Sequence, residues 1–111
     1  MTASQLKSAL NEETNLQGEI AKKLAAEIRK RLKAEKISFS NIRTKKWASN
    51  QAQFFVRLWG PEQIKNFDRV KQLVQELTPK DTVAVKYKIS TYGDRNNDSH
   101  RDITLWIWSP S

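Results

Sequence analysis

At 111 residues, with 38% hydrophobic and 29% charged side chains and only three Gly and three Pro, the chain has the length and composition of one globular domain with one modest core. The absence of cysteine excludes disulfides, thiolate metal sites and cysteine nucleophiles and fits a reducing, cytoplasmic setting; no apolar run reaches the roughly 20 residues that span a bilayer, so no membrane partner is expected. The net charge of +8 is local, because Lys22 to Lys46 carries ten Lys and Arg against only Glu27 and Glu35, which makes that segment either a polyanion-attracting patch or a solvated helix face.

Residues 1–15 form a polar N-terminal segment in which Leu6, Ala9 and Leu10 offer a short or frayed helix. The single α+β domain is expected over 16–111. Thr14 and Gln17 match a capping box, and Leu16, Ile20, Leu24, Ile28 and Leu32, supported by Ala21 and Ala25, follow helical spacing with one apolar face. Lys22, Arg29, Lys33 and Lys36 gather on the opposite side of that helix. From Ile37 the period changes to two, and the mismatch in parity between Ile37 or Phe39 and Ile42 predicts a bulge or a strand that begins only near Asn41. After a turn over Ala48 to Gln51, Ala52, Phe54, Val56 and Leu58 alternate with Gln53, Phe55, Arg57 and Trp59 in a second strand. Gly60 and Pro61 stop it, and Ile64, Phe67, Val70, Leu73, Val74 and Leu77 trace one amphipathic helix that ends before Pro79.

The last third reads as a hairpin: Val83, Val85, Tyr87 and Ile89 alternate with Lys86, Lys88 and Ser90, and Ile103, Leu105 and Ile107 alternate with Thr104, Trp106 and Trp108. The connection from Gly93 to Ser99 is rich in turn formers. The resulting order is helix, strand, strand, helix, strand, strand. It resembles a circular permutation of the ferredoxin-like arrangement, which implies a four-stranded antiparallel sheet with two helices on one face. The Leu-Trp pairs at Leu58-Trp59 and Leu105-Trp106, each followed by a Pro, hint at duplication of one unit. The same order is the core of LAGLIDADG homing endonucleases, but neither helix carries their acidic, Gly-containing metal-positioning motif.

If the helices cover the face made by Phe54, Val56, Leu58, Val83, Val85, Tyr87, Ile89, Ile103, Leu105 and Ile107, alternation sends a second set to the other side. That set is Gln53, Phe55, Arg57, Trp59, Lys86, Lys88, Thr104, Trp106 and Trp108, together with Arg43, Lys45 and Trp47. It holds all four tryptophans, and contiguous apolar area of that kind marks a contact surface. Flat rings stack on bases while Lys and Arg neutralise phosphates, so the expected partner is nucleic acid, single-stranded RNA or DNA in preference to duplex. The expected nucleic-acid-binding residues are Arg43, Lys45, Trp47, Phe55, Arg57, Trp59, Lys86, Lys88, Trp106 and Trp108. Trp59, Trp106 and Trp108 are assigned to stacking, and Arg57, Lys86 and Lys88 to phosphates. An open sheet with aromatics resembles RNA-recognition domains in architecture, although neither of that family's aromatic-and-glycine motifs is in the chain. Two alternatives use the same face: a protein–protein interface, in an adaptor or a homodimer, and burial beneath the N-terminal segment or the first strand.

No enzyme is expected. His100, the single histidine, sits beside Asp98 and Asp102 in what reads as a hairpin loop, a setting more typical of surface histidines than of general bases. Asp94, Asn96 and Asp98 match the first ligands of an EF-hand loop, but Ser99 replaces its Gly and Leu105 its final Glu, so neither a metal nor another cofactor is expected.

Overall fold

The structure, a computed structural model, describes residues 16–48, 50–93 and 100–110. The N-terminal segment and the loop residues 94–99, including the EF-hand-like acids, lie outside it. Among the described residues the elements are α1 (Leu16–Ala34), β1 (Asn41–Ala48), β2 (Gln51–Trp59), α2 (Gly60–Ile64), α3 (Phe67–Leu77), β3 (Lys86–Tyr92) and β4 (His100–Trp108). The four strands form one antiparallel sheet in the order β1-β2-β4-β3.

Helical spacing and strand alternation meet in one core. Ala52, Phe54, Val56 and Leu58 of β2, Ile103, Leu105 and Ile107 of β4, and Ile42 of β1 are buried against Ala21, Ala25, Ile28 and Leu32 of α1 and Phe67, Val70, Leu73 and Val74 of α3. The helices therefore take one face of the sheet. The buried stripe of α1 is rotated from the expected one, since Leu16 is 47% exposed and Ile20 and Leu24 are only partly covered. Two alanines explain the rotation: with short side chains at its centre, α1 can lie close on the sheet, and the larger residues flank the contact. The Thr14 half of the expected capping box lies outside the described residues, and Gln17 is buried. Its Nε2 donates to Ser109 Oγ, which ties the start of α1 to the chain just beyond β4, and its Oε1 has no partner among the described residues.

α1 ends in a Schellman motif: the Ile37 N–H bonds the Leu32 carbonyl at 2.8 Å, the Lys36 N–H bonds the Lys33 carbonyl at 3.1 Å, and Lys36 takes the left-handed conformation at φ 58°. Ile37 then packs on the core as an end to the helix, and pairing begins at Asn41, which resolves the parity mismatch.

Two further expectations are corrected. The single helix expected from Ile64 to Leu77 is broken at Lys65–Asn66. There the Asn66 N–H bonds Gln63 O, three residues back, and α3 starts afresh with the Val70 N–H on Asn66 O. The third strand does not include Val83, which is 94% exposed at the tip of a turn. Thr82 closes that turn with both backbone and hydroxyl, its Oγ1 accepting the Val85 N–H at 2.9 Å, so the ladder starts only at Lys86. Val85 itself is buried.

Candidate functional site

On the sheet face away from the helices, register sets residues in rows across β1, β2, β4 and β3. The rows read Gln51, Trp108, Lys86; Lys45, Gln53, Trp106, Lys88; Arg43, Phe55, Thr104, Ser90; Asn41, Arg57, Asp102, Tyr92; and Trp59, His100. Same-face residues recur about every 6.7 Å along a strand, so this grid runs some 27 Å from its first row to its last. Trp47 joins it where the β1–β2 register shifts between Lys46 and Ala48. All ten residues singled out from the sequence thus share one side of the sheet.

The rings divide into two groups at opposite ends. At one end Trp47 and Trp106 stack with centroids 6.1 Å apart and planes 29° from parallel, and Trp108 is the next same-face residue along β4 from Trp106. Their orientation is fixed by hydrogen bonds within the face: Trp47 Nε1 donates to Gln53 Oε1 at 2.6 Å, and Trp106 Nε1 donates to Ser90 Oγ at 3.0 Å. Lys45 places its ammonium 3.6 Å from the centre of the Trp47 ring. A groove of about 460 Å³ opens beside these rings, lined by Asn50, Gln51, Lys88, Ser90, Trp106, Trp108 and Ser109.

At the other end Trp59, His100 and Tyr92 form a second group, with His100 centred 4.9 Å from Trp59 and 5.5 Å from Tyr92. His100 and Asp102, expected in a loop, are strand residues of β4, and both project onto the face. Period-two alternation carried this signal already, since His100 and Asp102 precede Thr104 and Trp106 in phase, and Tyr92 follows Lys88 and Ser90.

Asp102 also changes the role of Arg57. The two form a bidentate pair, Nε to Oδ1 and Nη2 to Oδ2, each at 2.9 Å, with the carboxylate largely buried. Donating to the Asp102 carboxylate raises the Arg57 pKa above its ordinary value, and the guanidinium has one edge committed to that carboxylate instead of open to a phosphate. Arg43, Lys86 and Lys88 have no acidic partner among the described residues, so with Lys45 they make the face positive on either side of its ring cluster.

Among the described residues no group of three or more His, Cys, Asp or Glu is arranged to hold a metal ion, and no helix is long and apolar enough to cross a membrane. No known protein family, curated protein or solved structure matches this chain.

Proposed function

We propose that the protein is a non-enzymatic nucleic-acid-binding domain that takes single-stranded RNA or DNA on its open sheet face. The observation that carries this reading is that four Trp and four cations with no carboxylate partner among the described residues, Arg43, Lys45, Lys86 and Lys88, share the face that the helices leave uncovered. Ring stacking contributes about 1–3 kcal/mol per base in single-strand binders, and it requires bases that are not already stacked in a duplex. Rings locked by Gln53 and Ser90 lose little freedom on binding, so more of that stacking energy is expressed as affinity.

Stacking centres on Trp47, Trp106 and Trp108, beside the groove. Trp59 takes a peripheral place with His100 and Tyr92, and Phe55 lies between the two groups. Phosphates fall to Lys86, Lys88, Lys45 and Arg43, with Arg57 held back by Asp102. The strand order β1-β2-β4-β3, with a hairpin after each helical segment, supports reading the fold as a permuted ferredoxin-like arrangement, a topology that leaves one sheet face free for such a ligand.

Titration of oligouridylate and oligothymidylate against tryptophan fluorescence at two salt concentrations, with the protein sized in solution, tests the reading. Quenching by a monomer that weakens at the higher salt is the expected result. Absence of binding at low salt, with a dimer that dissociates on Trp106→Ala, would assign the face to a second copy of the chain instead.

A further inference from the structure

The basic segment Lys22–Lys46 is divided in sequence between a helix and a strand, and the sheet face uses only Arg43 and Lys45 of it. The fold rejoins the two parts. β1 is an edge strand, and α1 packs along it. Arg29 Nη2 of α1 lies 3.4 Å from the Ile42 carbonyl of β1, and one helical segment toward the N-terminus a groove of about 210 Å³ is lined by Gly18, Glu19, Lys22, Thr44, Lys45 and Lys46. Lys22 and Arg29 are seven residues apart and so share a helix face, the one turned to the β1 edge. Lys45 belongs to both regions, lining this groove while its ammonium sits over the Trp47 ring of the open face. Among the described residues Glu19 is the groove's one carboxylate, 3.7 Å from the Lys22 ammonium and well exposed on both sides of the pair.

We infer that this groove is a phosphate track for the sugar–phosphate backbone of the same strand, which leaves the ring cluster at Trp47, crosses the β1 edge over Lys45 and continues along Lys22 toward Arg29. The inference rests on the proposed open-face binding and extends it. Charge complementarity selects the occupant: the described residues of the margin bring cations from two elements together around one solvent-screened acid, and the margin is continuous with the face proposed to stack bases. Because phosphates and not bases contact it, this part of the site is indifferent to sequence and adds affinity only for strands long enough to reach it.

The test uses the full chain and fluorescein-labelled oligothymidylates of about 4 and about 16 nucleotides, the range occupied by one small single-strand-binding domain. Lys22→Ala combined with Lys46→Ala is expected to weaken the long oligonucleotide roughly tenfold and to flatten its log K against log salt slope by about 1.4, leaving the short one unchanged. Glu19→Gln, which removes the competing carboxylate without touching a cation, is expected to tighten the long oligonucleotide only. The circular-dichroism melting curve of each variant reports that the fold is intact. If the wild type binds and Trp106→Ala weakens it, yet neither margin variant alters the long-strand affinity or slope, the track is wrong and open-face binding stands. If the wild type binds neither length, both fail. A margin effect seen on anionic phospholipid vesicles and not on the oligonucleotides would overturn the track as well.

Discussion

Arg57 shows how one partner redirects a side chain. A lone Arg on a Trp-rich sheet face is a natural phosphate ligand, but the residue paired with it across β2 and β4 is Asp102, and the two form a pair with matched planar geometry. Replacing Asp102 with Ala removes a charge-assisted pair that is partly screened by solvent, at a cost of about 1–2 kcal/mol in stability. The same change releases a cation into the centre of the face. Asp102→Ala is therefore expected to melt lower while binding single strands more tightly, with a salt slope steeper by about 0.7, one further phosphate contact. Fluorescence titration across a salt series reads this directly; a variant that binds more weakly would show that Asp102 itself supports the ligand. The sequence made Arg57 visible by its parity but not Asp102, whose proximity to the turn-rich stretch 93–99 suggested loop. Side-chain pairing across strands depends on register, and register needs the hairpin's length, which composition does not give.

Elements were legible where periodicity was long and uninterrupted. α1, β2 and β4 follow from their apolar spacing, and β1 begins at Asn41, where the parity of Ile42 takes over from that of Ile37 and Phe39. What escaped were local decisions made by single polar groups: the break at Asn66, the Thr82 turn that leaves Val83 in solvent, and the rotation of α1 onto its alanines. The end of α1 is another. A Schellman motif favours Gly at its left-handed position, and Lys36 occupies it here with an exposed side chain. A residue with a Cβ pays for that conformation, and glycine avoids most of the strain at some loss of chain entropy in the unfolded state. Lys36→Gly is therefore expected to raise stability by about 0.5–1 kcal/mol, seen as a higher midpoint in urea with an unchanged slope. The adjoining Glu35–Arg69 pair, with Oε1 2.8 Å from Nε, links the same end of α1 to α3; hydrogen bonding to Arg69 holds the Glu35 carboxyl below its ordinary pKa.

At the scale of the molecule, rings and cations share the open sheet face, and the salt dependence of charge contacts is what makes stacking and charge separable by experiment. In the proposed complex, rings at Trp47, Trp106 and Trp108 would stack at contact distance and without regard to ionic strength, whereas Arg43, Lys45, Lys86 and Lys88 would displace counterions from phosphates. Four such contacts to a single strand give a log K against log salt slope near −2.8, at about 0.7 per phosphate. Lys86→Ala with Lys88→Ala should bring a short oligonucleotide's slope to about −1.4, so that the loss in affinity is greatest at low salt and shrinks as salt rises. Trp106→Ala should instead lower affinity by about 1–3 kcal/mol at every salt concentration and leave the slope where it was. The two variants trace lines of different shape from the same wild-type curve: one rotated, one displaced in parallel. A face that served as a protein interface would not divide in this way, because truncating a buried Trp and neutralising rim lysines would both act on dimer dissociation, and dilution, not salt, would separate them. Parallel displacement by Trp106→Ala together with rotation by the lysine pair is therefore the outcome that ties the grid of β1, β2, β4 and β3 to a single-stranded polyanion, and measuring both lines across a salt series at fixed protein concentration tests it.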